Sequence, residues 1–267
     1  MPLAESLGIF YVEEGAGEPV ILLHGFGLTH ELWQEQRPLA DEFRLIAYDA
    51  RGCGDSRAPE TGYDIPDHLG DLLGLMDYLG LEGVHLVGHS RAGAVLMAMA
   101  LERPERVRSL FFVDSVLRGF PWSAEFVEEM RASARTARER GVAAALDEVW
   151  LHAGIFAWVR AHRPEVFERV AAMARRYSGA EWLDTARYPA QRVPDIERLA
   201  EVRAPTFVLS GQQDTADFVQ IANMLAWWIP GARQKALLGV SHFPMLENPH
   251  ETNLYLRGFL RKVAARC

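Results

Sequence analysis

Residues 84–93 read Val-His-Leu-Val-Gly-His-Ser-Arg-Ala-Gly. The apolar run up to Gly88 is a buried strand, and the small and apolar residues from Ser90 onward form a tightly packed helix, so strand passes into helix at one serine. A serine at such a junction is held in a strained backbone conformation. Gly88 and Ala92 are small enough to let strand and helix approach and leave the hydroxyl exposed. The helix N-terminus beneath it offers unpaired N–H groups and a partial positive charge, which suit an oxyanion. The pattern is G-x-S-x-G with Ala92 at the fifth position and Gly93 one step later. A mild departure of this kind keeps the small residue that the packing asks for. In the alternative structural reading, Ser90 only caps a buried helix.

Working outward, Ile9 to Glu13 is a short strand, Gly15 to Glu18 a turn, and Pro19 to His24 a buried strand ending in His-Gly-Phe-Gly. Phe43 to Tyr48 is a second buried strand and ends in the glycine-punctuated loop Asp49-Ala-Arg-Gly-Cys-Gly-Asp-Ser56. Pro66 to Leu79 has helical spacing. Beyond the elbow, Arg108 to Asp114, Pro205 to Ser210 and Gln234 to Leu238 are further strands. Strand and helix in alternation predict an α/β fold: a mostly parallel sheet with helices on both faces, its chemistry at the carboxyl ends of the strands. His24, Ser90, Asp114 and Gly211 all fall there.

Between Val116 and about Leu199 the alternation stops. Helical text covers Ala124 to Arg140, Val142 to Trp150, Pro164 to Tyr177 and Pro194 to Leu199. An insertion of this size after a strand end is expected to sit over the elbow as a lid, with residues 1–115 and 200–267 as core and 116–199 as cap. Trp122, Trp150, Phe156, Trp158, Tyr177, Trp182 and Tyr188 lie within it. More than half of them are expected to form a small helical core of the cap itself, leaving one to three to line a pocket; Trp122, Trp150 and Trp158, with His24 and Arg91, are the residues proposed to meet a substrate.

Composition narrows the partners. The chain has 267 residues, 49% hydrophobic, and a formal net charge of -8, which argues for a substantial core and against nucleic acid or an anionic membrane as partner. Cys53 and Cys267 are the only cysteines, so neither a structural disulfide nor a thiolate metal site is expected. Met1 to Gly8 lacks a basic region and an apolar run, and no window approaches the roughly 20 apolar residues of a membrane span. These features predict a soluble cytoplasmic monomer or homodimer that needs no cofactor and no metal.

A serine hydroxyl needs a base within hydrogen-bond reach, itself oriented by a third group. His242 stands in a loop between the last strand and a helix opened by Asn248, Pro249 and Glu251, freer to reach a site than His85 inside the elbow strand. Asp214 follows a strand end in Ser-Gly-Gln-Gln-Asp; Asp114 ends the preceding strand and competes for the same role. Either aspartate could instead cap a turn. The order Ser90, Asp214, His242 is the one expected for a triad on a sheet of this kind.

With these residues in view the chain resembles the α/β-hydrolase superfamily, in particular its small lid-bearing serine esterase and enol-lactonase branch. The likeness rests on His24-Gly-Phe-Gly27, Arg51-Gly-Cys-Gly-Asp-Ser56, Gly88 to Gly93, Ser210-Gly-Gln-Gln-Asp214, and Ser241-His242 with Glu247 and Pro249. It implies Ser90 as nucleophile, His242 as base, Asp214 as orienting acid, and the backbone N–H groups of Phe26 and Arg91 as oxyanion hole. The implied activity is hydrolysis of a small carboxylic ester or lactone through an acyl-enzyme. Hydrolysis of a C–C bond, perhydrolase (haloperoxidase-like) activity on the same triad, and a ligand receptor with little turnover are the alternatives.

Two positions depart from the pattern. Cys53 stands where histidine is common and reads as a small buried residue. Arg91 stands where an apolar residue is common. In fluoroacetate dehalogenases, which look similar here but use aspartate as nucleophile, an arginine at that place helps hold the substrate carboxylate; Ser90 speaks against dehalogenase and epoxide hydrolase chemistry. A cation in the first turn of a helix opposes the helix dipole, so Arg91 needs an offsetting anion. That anion is either a protein carboxylate, Asp114 or a glutamate of the cap, or the free carboxylate of a substrate.

Overall fold

A computed structural model of the chain describes residues 3–188 and 193–265. The strands are β1 (Leu3–Ala4), β2 (Ile9–Glu14), β3 (Glu18–Leu23), β4 (Phe43–Tyr48), β5 (Val84–His89), β6 (Val107–Val113), β7 (Thr206–Gly211) and β8 (Arg233–Leu237). They form one sheet in the order β1-β2-β4-β3-β5-β6-β7-β8, antiparallel at β1 and β2 and parallel from β4 onward. Every residue of β5 and β7 is buried, as expected for strands covered on both faces.

The helices are α1 (Ile65–Tyr78), α2 (Ala92–Glu102), α3 (Ala124–Arg140), α4 (Val142–Glu148), α5 (Gly154–His162), α6 (Pro164–Ala174), α7 (Ala180–Leu183), α8 (Ala216–Trp228), α9 (Pro244–Glu247) and α10 (Pro249–Ala264). The start of α1 is fixed by a capping box between Asp64 and Asp67. Gly141, at φ +93°, ends α3 and opens α4.

The topology decides where a site can form. From β3 the chain moves outward to β4, then returns to place β5 on the other side of β3. The loops leaving β3 and β5 therefore diverge at the point where the strand order reverses, which opens a crevice at their carboxyl ends. The register Leu23↔Gly88 puts the His24-Gly25-Phe26-Gly27 loop directly beside Ser90.

Several boundaries differ from the sequence reading. The elbow strand runs on to His89 and the helix starts at Ala92. The helix from Val142 stops at Glu148, with a 3₁₀ turn over Trp150–His152, and that from Pro164 stops at Ala174. Pro194 to Leu199 holds only short 3₁₀ turns, Asp195–Glu197 and the start of Leu199–Glu201. Helices α5, α7 and α8 lie outside the helical segments read from the sequence, and α7 is a single turn of four residues.

Among the described residues, the helices between β6 and β7 share their core with the rest of the chain. Trp150, Phe156, Tyr177 and Trp182 belong to one buried cluster with Phe26, Trp33 and Phe243 of the sheet domain, so the insertion is packed through its aromatics onto the loops around Ser90. Cys53 is buried and unbridged; Cys267 lies outside the described residues. Burial pushes the Cys53 thiol up to about 12, consistent with a packing role. Among the described residues no single helix is long and apolar enough to cross a membrane.

Candidate active site

Ser90 and Asp114 are the only non-glycine residues with positive φ among the described residues, at +53° and +38°. The strain at Ser90 is held by three bonds: its amide donates to the Val113 carbonyl at 3.0 Å, and its carbonyl accepts from Gly93 at 2.9 Å and Val116 at 2.8 Å. The shift of glycine from position 92 to 93 has a steric cause. A Cβ on Gly93 would lie 2.3 Å from the Ser115 Cβ, whereas Ala92 fits. A Cβ on Gly25 would lie 2.9 Å from that of Ser90, so the oxyanion loop approaches the serine only because it carries glycine there.

Ser90 Oγ stands 3.1 Å from His242 Nε2, and His242 Nδ1 stands 2.7 Å from Asp214 Oδ2. The carboxylate accepts a hydrogen bond from Nδ1–H, which leaves Nε2 free to accept from the hydroxyl. Asp214 is held in turn by the Thr215 amide at 2.7 Å on its other oxygen. Glu247, at the end of α9, ties the histidine loop together: it accepts from the amides of Ser241 and Phe243 at 3.0 Å and from the Ser241 hydroxyl at 2.8 Å. His89 Nε2 donates to the His242 carbonyl at 2.8 Å, and burial holds its ring well below the ordinary histidine range. His85, by contrast, lies inside β5 between Ser109 and Glu18.

Asp114 makes no bond to His242. It accepts from the Gly211 amide at 3.1 Å and faces Asp214. Full burial, and then the Asp214 charge, raise its carboxyl well above the ordinary 3.8. Both effects push Asp114 toward its neutral form beside Asp214.

Between 3.8 and the raised value Asp114 keeps its proton in the fold and loses it in the unfolded chain, so its contribution falls as pH rises through that window. Asn imitates the neutral acid at every pH. The melting temperature of Asp114→Asn relative to wild type should therefore climb as pH rises above the ordinary carboxylate value; a difference independent of pH would mean that Asp114 is ionised in the fold.

A cavity of about 190 Å³ opens onto this constellation. Its wall is largely aromatic and aliphatic and includes Phe26, Trp122, Trp150, Phe156, Phe218 and Phe243 around Ser90 and His242. Among the described residues, neither the Phe26 nor the Arg91 amide is taken by an internal acceptor, so both stay available beside the serine. Phe126, Met130, Phe218 and Glu181 were missed in the sequence, where a helical apolar or acidic residue does not reveal which way it points.

Two expected substrate contacts are corrected. His24 lies outside the cavity lining: it is buried, with Nδ1 bonded to the Gly25 carbonyl at 2.7 Å and Nε2 accepting from the Ala50 amide at 2.9 Å. Burial pushes its pKa down to about 4, and its place is to pin the oxyanion loop to the end of β4. Trp158 is two residues from the inward-facing Phe156 on α5, hence on the other side of the helix, where it stacks on His162 at 3.7 Å. For Arg91 the protein supplies the anion: Nη1 is hydrogen-bonded to Glu181 of α7. Among the described residues no group of three or more His, Cys, Asp and Glu side chains is placed to hold a metal ion.

Comparison with known proteins agrees with this geometry. The family profile described as alpha/beta hydrolase fold matches residues 18–249. A thermophilic esterase from Thermogutta terrifontis superposes with a TM-score of 0.81 at 30% identity, covering 96% of this chain and 93% of that one. The enol-lactonase from Burkholderia xenovorans LB400 superposes with a TM-score of 0.77 at 25% identity, covering 95% and 96%. The 2-hydroxymuconate semialdehyde hydrolase of Pseudomonas sp. strain CF600 is 28% identical over 88% of this chain and 84% of its own. With strand order, elbow and histidine loop in one arrangement and the profile spanning most of its length, the chain belongs to the α/β-hydrolase fold family.

Proposed function

We propose that this protein is a serine hydrolase of small carboxylic esters or lactones, working through an acyl-enzyme. The observation that carries the reading is His242 bridging Ser90 Oγ and Asp214 at the base of an apolar cavity, with two unengaged amides alongside. In this mechanism His242 Nε2 takes the hydroxyl proton as Ser90 Oγ attacks the acyl carbon. The amides of Phe26 and Arg91 hold the tetrahedral oxyanion, and the imidazolium returns the proton to the leaving alkoxide. Water, deprotonated by the same nitrogen, then releases the acid. Asp214 keeps the imidazole in the required tautomer and stabilises its charged form. The helical insertion acts as a lid: its aromatics wall the cavity and exclude bulk water, which strengthens each of these electrostatic contacts.

The test is a panel of short-chain nitrophenyl esters, lactones and β-diketones assayed with pre-steady-state kinetics. A burst of nitrophenol equal to the enzyme, followed by steady turnover of esters or lactones, is the expected result. A burst without turnover would point to a ligand receptor, and cleavage confined to diketones would point to C–C hydrolysis.

A further inference from the structure

Arg91 and Glu181 are the only Arg, Lys, Asp or Glu side chains on the cavity wall among the described residues. The guanidinium lies 5.3 Å from the Phe26 ring centroid, beside the proposed nucleophile, and hydrogen-bonds to Glu181. Only 12% and 25% of the two side chains' surface remains open. Phe26, Tyr177 and Trp182 make a mutual cluster, with ring centroids 5.1 to 5.6 Å apart, that screens the pair from bulk water. Burial raises the Glu181 carboxyl, while Arg91 draws it back toward ionisation.

A free guanidinium at this point would be a ready site for a substrate carboxylate, because its fork matches two carboxylate oxygens. Here α7 supplies that carboxylate from within the chain. An incoming anion would have to displace Glu181 or share Arg91 with it, leaving two negative groups close together in a wall of low polarity. We propose that Glu181 is a charge filter: by occupying Arg91 it reserves the cavity for esters and lactones that carry no free carboxylate. This rests on the ester-hydrolase reading and specifies its substrate class.

The experiment compares methyl hexanoate with monomethyl glutarate, esters of matched chain length that differ in the terminal charge, followed by acid release. Wild type should prefer the neutral ester in kcat/KM. Glu181→Gln, which keeps the shape but removes the charge, should reduce that preference by roughly 10- to 100-fold, the worth of one charge-assisted bond, mainly through KM for the anionic ester. Adding Arg91→Met to Glu181→Gln should restore the preference. Binding of hexanamide and of glutaric acid monoamide, in which an amide stands in for the ester and only the second carries a distal carboxylate, measured by calorimetry on the wild-type protein, reads the filter without turnover and without any variant, and hexanamide should bind more tightly.

Equal kcat/KM for the two esters in wild type, an unchanged ratio in folded Glu181→Gln, or equal affinities for the two ligands overturns the filter. Absence of ester turnover with the binding preference intact would instead overturn the hydrolase reading alone.

Discussion

Ser90→Ala is expected to lower ester hydrolysis by about 10⁴- to 10⁶-fold, the scale on which removal of a triad nucleophile acts. The loss should fall on kcat and on labelling by a fluorophosphonate, because alanine leaves the cavity wall and the two amides in place. Folding should survive. Alanine takes the same φ of +53° as the serine it replaces, keeps the Cβ that packs near Gly25, and forfeits only the hydroxyl's bond to His242. One hydrogen bond contributes about 1 kcal/mol, which is within about 4 °C in melting temperature for a chain of this size. Circular dichroism and thermal unfolding check the fold beside the rate. Most of the activity persisting in a folded variant would mean that another group attacks the acyl carbon.

The second large effect separates two aspartates. Asp214→Asn should cost about 10⁴-fold in kcat, because an amide at that place can donate to Nδ1 and so favour the wrong tautomer. Asp214 earns this prediction by its 2.7 Å contact with Nδ1. Asp114→Asn should cost less than about tenfold, since Asp114 bonds the Gly211 amide and not His242, and burial and the Asp214 charge favour the neutral form that the amide imitates. Steady-state kinetics on a single nitrophenyl ester rank the two, and the reverse order would place the orienting acid at the end of β6.

Much of this architecture is legible along the chain because it is local. Apolar runs identify β3, β4, β5 and β7, with glycine or proline at the bounds of β3, β5 and β7, and their alternation with helices leaves few arrangements other than a parallel sheet. The elbow is legible for the same reason: a strand, a serine and small residues at fixed spacing are all within ten positions. His242 and Asp214 stand out because loop residues after strand ends converge on one edge of such a sheet.

What stayed hidden was orientation and partnership. The sequence places Trp122, Trp150 and Trp158 alike in the insertion between residues 116 and 199, and only packing turns the first two toward the cavity and the third away. It puts Asp214 ahead of Asp114 only by chain order and family resemblance; the contact itself depends on a loop from residue 239 to 243 folding back across 28 positions to Asp214 and 152 to Ser90.

By itself, then, the sequence determined the sheet, the elbow and the set of residues able to make a triad, since each follows from spacing and residue type within a short window. Only the tertiary structure decided which carboxylate meets His242, why His24 belongs to the scaffold, and that Arg91 is held by Glu181 from 90 residues away. Those outcomes are set by distances between chain-remote groups. Electrostatic and hydrogen-bond energies change over a few ångströms, and pattern along the chain carries no measure of that separation.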